Sequence, residues 1–566
     1  MLAAGEYCRC SSTWAWQVNI DGTASLNDQV HAVTIDSNGD VLAAGTTQNS
    51  GASTDFTVVK LSGATGATIW RRVVAGTSAA PSGEVRAIAL DSAGNVFAAG
   101  FISNLNTLQD FTVVKLAGTN GAEMWRSVTD GTANFNDLAR SIRVDAAGNV
   151  VAGGELTNTG TGKDFAVVKL SGATGAPLWR RQINGGASLD DLARSVRLDP
   201  TTGDVVVGGE LRNTGSTDFA VVKLAAATGA ELWRYVIDGT AGGTDVVRSI
   251  RIDAAGDVVA AGELQNIGTG MDFAVVKLSG TTGAEVWRRQ INGTASLDDL
   301  VRSVRVDSAG DVVSAGELTN TGTGMDFTVV KLSGGTGAEV WRRVLNGSAS
   351  GNDAAHAVRV EPAGDILACG ALQNTGTDLD FTVVKLSGAN GTQIWRRDIN
   401  GTGSGADQAS ALAEDSSGDV VAAGFTQNIT TNMDFTVVKL RGSDGGDFVA
   451  TATTTTTTTL PAPNCSTIPE CEAALVSALP APHGGKSTKA RKVAHQLSRL
   501  DHKLNRFLDH AGTASTKRQH RLYKKARGVL ARGLTTVQAA DSQGSLGVPL
   551  VPIEAAISGL LTLILS

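Results

Sequence analysis

The sequence predicts an all-β protein, an eight-bladed β-propeller of four-stranded antiparallel blades closed by an N-terminal outer strand. A Thr-rich linker and a small α-helical C-terminal region should follow it. Three observations predict the propeller. The string Asp-Phe-(Thr/Ala)-Val-Val-Lys-Leu occurs eight times, starting at Asp55, Asp110, Asp164, Asp218, Asp272, Asp326, Asp380 and Asp434, with a first spacing of 55 and then 54 residues. A Trp follows each of the first seven by 15 residues, giving Trp70, Trp125, Trp179, Trp233, Trp287, Trp341 and Trp395, while Trp16 stands 54 before Trp70. Gly-rich turns separate β-branched runs, and no stretch of ten or more residues in the repeats carries a 3.6-residue apolar period. Four short strands per fifty-odd residues make one propeller blade, not a unit of a helical solenoid.

One period shows the logic of each element. Residues 301–306 alternate as a first strand, and 307–311 (Asp-Ser-Ala-Gly-Asp) form a tight turn in which Gly supplies positive φ. Residues 312–318 make a second strand, 319–325 a loop, and 327–332 a third strand. Residues 334–337 turn again, and 339–344, with Trp341, form the fourth strand. The chain therefore begins with a fourth strand at Trp16 and ends its repeats with a first, second and third. Pairing the two ends would complete the last blade and leave no open sheet edge between the termini. The expected organisation is a ragged N-terminus at 1–15, the propeller at 16–448, the linker at 449–464 and a helical domain at 465–566.

Composition limits the function classes. With 42% hydrophobic residues the chain can build a core and is not a disordered polyelectrolyte. It holds no run of 18 apolar residues, so no transmembrane span is expected. Residues 465–566 carry 14 Lys/Arg against 6 Asp/Glu, whereas 1–464 carry 34 against 49. An acidic body argues against nucleic acid as a partner. Of the five cysteines, Cys369 lies in an apolar strand and reads as an inert buried thiol, while Cys465 and Cys471 are spaced for a small disulfide loop. The first residues show neither the basic nor the apolar region of a secretory leader, and the expectation is that the true N-terminus lies upstream. An extracellular or cell-surface location is expected.

Repetition places candidate residues in rings. An acidic residue precedes each first strand: Asp28, Glu84, Asp137, Asp191, Asp245, Asp299, Asp353 and Asp407. A second set follows it within three positions: His31, Arg86, Arg140, Arg194, Arg248, Arg302 and His356. Both sets are candidates for charged rings at a channel mouth that receive an anionic or sugar ligand. Eight equivalent positions equally suit eight equivalent structural tasks, with Asp capping a loop and Arg bridging to it. Trp16 and its seven counterparts are expected to be structural. The third-strand lysines are expected in ion pairs or laid along aromatic rings. The Asp-x-x-Gly-Asp turns offer two carboxylates at most, too few for a calcium loop, so no metal is expected.

The Gly-x-x-Gly-x-x-x-Trp segment, as in Gly280 to Trp287, resembles the tryptophan-docking motif of PQQ-like (quinoprotein) propellers. The Asp-x-x-Gly-Asp/Asn turn followed by an Ala-Gly strand and Asp-Phe resembles the bacterial propeller repeat called SBBP. The resemblance covers about Trp16 to Leu440 and implies fold more than function. Members serve as enzymes, scaffolds and surface proteins. The vicinal cysteines and haem-attachment motif of many quinoprotein dehydrogenases are missing from the sequence. The reading is of a non-enzymatic, monomeric binding or scaffold propeller with an unidentified protein or glycan ligand and no cofactor. The alternatives are a polysaccharide-binding or lyase propeller and a quinone-dependent oxidoreductase. The second-to-third-strand loops should carry recognition, since 49–54, 103–109 and 428–432 depart most from the repeat.

Overall fold

A computed structural model describes residues 16–446 apart from 25, 51–52, 79–81 and 404. The expected linker, the expected helices, and Cys465 with Cys471 lie outside the described residues. Eight separate four-stranded antiparallel sheets are present. Blade 6 is representative: Leu300–Val306, Val312–Asn320, Gly324–Leu332 and Glu339–Leu345, paired in chain order. The first strand of each blade neighbours the first strand of the next, and the first strand of blade 8 returns to that of blade 1. These strands line the axis, and the fourth strands form the rim.

In blade 8 the fourth position is taken by Trp16–Ile20, antiparallel to Asn432–Leu440, with Trp16 opposite Lys439 and Ile20 opposite Phe435. Every other blade matches this register, as with Trp341 opposite Lys331 and Leu345 opposite Phe327.

The second and third strands run further than the sequence suggests. In blade 6 Thr319 pairs with Met325 and Asn320 with Gly324, so the loop shrinks from seven residues to three. Two glycines at positive φ, Gly322 and Gly324, close the turn, and the Asn320 amide donates to the Asp326 carboxylate at 2.8 Å. Polar side chains thus sit in strand positions because their hydrogen bonds are met locally.

The core lies between blades. Phe327 and Trp341 of blade 6 pack with Ala355, Val358 and Leu386 of blade 7 in one buried cluster. The phenylalanine that follows each repeat Asp is fully buried in all eight blades.

Each of these interfaces also carries one polar clip. The Trp341 indole N–H and the Lys331 ammonium both donate to the carbonyl of Gly388 in blade 7, at 3.2 Å each. Lys331 also meets Asp307 of its own turn at 2.8 Å. The same pair joins blade 8 to blade 1, where Trp16 and Lys439 reach Gly63 at 3.1 and 3.2 Å. Burying an ammonium is tolerable because a carboxylate and a carbonyl replace its water. Cys369 is a free, buried thiol whose pKa burial pushes up.

Candidate functional site

Eight first strands, each entered through a loop from the preceding blade, carry the expected residues at or beside their entering ends. The aspartates Asp28, Asp137, Asp191, Asp245, Asp299, Asp353 and Asp407 are buried. Each carboxylate accepts two backbone N–H bonds, one from the incoming loop and one from the far end of its own second strand. For Asp299 the donors are Gly293 at 2.8 Å and Thr319 at 2.6 Å. The Asp299 N–H in turn reaches the Met271 carbonyl of the preceding blade at 2.6 Å. Burial raises these carboxyls, to about 6 in Asp28, Asp191, Asp245, Asp299 and Asp407 and to about 7 in Asp137. Asp130 beside Asp137 adds repulsion, as Asp238 does beside Asp245.

Glu84 is not the eighth member of that ring. It stands opposite Phe101, the register position that Leu138 holds opposite Glu155, one residue past the aspartate. Its carboxylate meets His31 of blade 1 at 3.0 Å and Arg86 at 2.6 Å. Burial acts to raise its pKa, but these two partners together hold it below the usual value.

The basic ring falls into two parts. In blades 3 to 6 each arginine pairs with a glutamate near the end of its second strand: Arg140 with Glu155 at 2.6 Å, Arg194 with Glu210 at 2.8 Å, Arg248 with Glu263 at 2.9 Å and Arg302 with Glu317 at 3.0 Å. Each arginine is the extra residue of a bulge, as the shift between Ala139 and Ser141 shows. Blade 7 carries His356, held neutral to about pH 4 by burial and by the nearby Arg302 charge. Opposite its first strand stands Ala371, not a glutamate, and in blade 8 Phe425. The four glutamates escaped the sequence reading because only the strand register brings them to the arginines. The recurring Gly-Glu-Leu at the end of four second strands was the available signal.

The face that holds the ring also holds the loops. The tip of each second-to-third-strand turn bonds the loop that enters the same blade, as Ile267 N–H does with Thr240 Oγ1 at 3.1 Å and Leu105 N–H with Thr77 Oγ1 at 3.0 Å. Large apolar side chains stand exposed on both loop types. They are Leu105, Ile267 and Ile429 on the turns and Phe135, Leu189 and Leu297 on the entering loops, with Ile267 at 78% and Ile429 at 79%. Among the described residues no large apolar side chain is exposed in the turns of the opposite face. The expected variable segments 103–109 and 428–432 hold two of the six, and 103–109 also holds exposed Leu108, the first residue of its third strand. Ile267, Phe135, Leu189 and Leu297 lie in loops that otherwise follow the repeat.

Eight four-stranded blades in a ring, together with the family match that follows, make this a PQQ-like repeat propeller. The chain belongs to the family described as outer membrane protein assembly factor BamB, whose model matches residues 109–324 and 272–459. Among solved structures it is similar to BamB from Moraxella catarrhalis, at 14% identity and a TM-score of 0.42, over 76% of this chain and 99% of that one. It is also similar to quinohemoprotein alcohol dehydrogenase from Comamonas testosteroni, at 12% identity and a TM-score of 0.48, over 77% of each chain. A third is Sqt1 from Chaetomium thermophilum, bound to the N-terminus of ribosomal protein L10, at 10% identity and a TM-score of 0.48, over 73% of this chain and 97% of that one. No curated protein matches the chain significantly. Among the described residues no helix is long and apolar enough to cross a membrane.

Proposed function

We propose that the protein is a binding propeller of the bacterial envelope whose loop-bearing face docks a protein partner. The observation that carries this reading is the confinement of Leu105, Phe135, Leu189, Ile267, Leu297 and Ile429 to that face, with none of their kind in the opposite turns among the described residues. Apolar side chains presented on loops above a rigid ring are the usual anchors of a protein interface. Membership in a family described as an outer membrane assembly factor supports both the envelope setting and the binding role. Among the two expected ligand rings, the buried aspartates serve to hold the loops in shape, and the arginines and histidines serve the channel mouth. The Trp16–Ile20 strand closes the ring and so keeps the loop platform rigid.

The test is site-specific photo-crosslinking in intact envelopes. A probe at Ile267 or Ile429 should give one discrete protein adduct, which Phe135→Ser with Leu105→Ser should weaken by roughly ten-fold, a typical loss for two interface anchors. A probe at exposed Leu232 on a fourth strand should give none. Equal adducts at Leu232 and Ile267, or none at either, would overturn the reading.

A further inference from the structure

Three residues beyond the mouth ring, a second set of arginines follows the axis: Arg143, Arg197, Arg251 and Arg305 in blades 3 to 6. Their direction is set by the backbone. Val196 donates its N–H to Ser141 Oγ on the first strand of the preceding blade at 3.1 Å, and Ile250 does so to Ser195 at 3.3 Å. Those N–H groups therefore point away from the second strand, and in an antiparallel ladder the carbonyl of the same residue points with its N–H. Each arginine places one guanidinium nitrogen on that carbonyl: Arg143 on Ile142 at 2.5 Å, Arg197 on Val196 at 2.6 Å, Arg251 on Ile250 at 2.7 Å and Arg305 on Val304 at 2.8 Å. All four guanidiniums thus sit on the axial side of the ring, half-buried.

The mouth arginines have glutamates, and these four do not. Apart from a contact of Arg305 with Ser303 at 3.3 Å, the carbonyls are the polar partners they have among the described residues. Burial alone lowers the pKa of Arg143, to about 10, with no carboxylate acting to raise it. Blade 7 shows what neutralisation looks like, because Arg359 bonds Glu414 of blade 8 at 3.1 Å. The arc is also one-sided. Blades 8, 1 and 2 put Ala413, Thr34 and Ala89 at the same register position, opposite Val421, Leu42 and Phe97. Small neutral residues face a wall of guanidiniums across the axis.

We propose that the axial channel binds a small polyanion, with several phosphate or carboxylate groups, on the arc Arg143, Arg197, Arg251 and Arg305. Guanidinium keeps its charge at every physiological pH and presents a planar fork that matches either oxyanion. A ligand with three or more negative charges neutralises an arc that has no carboxylate partner among the described residues. The site is separate from the loop face and stands or falls without it.

Calorimetric titration of the full chain with tripolyphosphate and, separately, citrate tests the assignment. Binding of at least one is expected, weakening steeply with salt, and the one preferred identifies the ligand class. Arg197→Gln with Arg251→Gln should weaken it on the order of a hundred-fold, taking about ten-fold for each lost charged hydrogen bond. Arg234→Gln, on an outer fourth strand, should leave it within about two-fold. If the double variant does not fold by circular dichroism, Thr34→Glu keeps every arginine and should weaken binding about ten-fold by placing a carboxylate across the axis. Binding of neither anion, or equal binding by wild type and the folded variants, would overturn the proposal.

Discussion

Single carboxylates in this ring behave differently according to one neighbour. Asp164 has Asn184 beside it, whose amide, correctly oriented, donates to Asp164 Oδ1 at 2.7 Å. At the equivalent places Asp110 meets Asp130 and Asp218 meets Asp238, and each pair forms a triad with the buried loop-capping Asp137 or Asp245, one carboxylate oxygen of each member lying within 4.8 Å of the others. A carboxylate replaces a donor there, and Asp110 Oδ1 is left without a hydrogen bond. Asp130→Asn should therefore stabilise the protein by about 1 kcal/mol at pH 8, through a restored donor and a removed repulsion. The sign with pH follows from Asp137. Its folded pKa, about 7, exceeds the unfolded value near 3.9, so its contribution is fully present below about pH 4 and is lost as pH rises through 7. Removing the Asp130 charge shrinks that loss. The gain from Asp130→Asn should be smaller at pH 5 than at pH 8 in urea unfolding, and an equal gain at both would refute the coupling.

The strand is where sequence and structure agree best and also where the sequence runs out. Trp spacing, the Asp-Phe run and the Gly turns made every blade legible, because each strand alternates and each turn has its own chemistry. The polar Thr319 and Asn320 read as loop, because their satisfaction by cross-strand partners is invisible one residue at a time. The Arg-Ser-x-Arg pattern of four first strands was legible as letters but not as an arc. A bulge at the first arginine and a bent-back second one defeat simple alternation. One element-level dependence is sharp. Gly283 sits at φ +72°, and a Cβ there would come within 2.7 Å of the Trp233 ring of the preceding blade. Gly283→Ala should cost about 2 kcal/mol or more, from positive φ and from overpacking. Trp233→Phe, which loses only the N–H bond to Gly280 at 3.1 Å and part of the ring, should cost about 1–2 kcal/mol. Thermal unfolding of the two variants should rank them in that order.

The last blade takes its fourth strand from the far end of the chain. Trp16–Ile20 and Asn432–Leu440 are more than 400 residues apart in sequence and adjacent in one sheet. If that pairing closes the ring, chain order matters less than blade order. A permutant that begins before Gln29 and carries residues 16–21 after Leu440, through a six-residue turn like that of 333–338, should melt within a few degrees of the wild type. Deleting 1–20 without returning the strand should expose the edge of Asn432–Leu440 and lower the melting temperature by more than ten degrees, or cause association. A permutant that melts as low as the deletion would show that the N-terminal strand is not interchangeable with an ordinary fourth strand.

The clip between blades also bears on how such a ring arises and changes. Trp and Lys of one blade grip a carbonyl of the next, a group that every residue possesses, and at one of the eight joints the gripped residue is Ala226 instead of glycine. A joint addressed to the main chain is indifferent to most side-chain drift in its neighbour. Copies of a blade can therefore be inserted, lost or exchanged in the gene without a matching change next door. Blades 3 to 6 are alike down to both of their arginines. Blades 8, 1 and 2, at and beside the seam, keep the clip but put Ala413, Thr34 and Ala89 where blades 3 to 6 have the inner arginine.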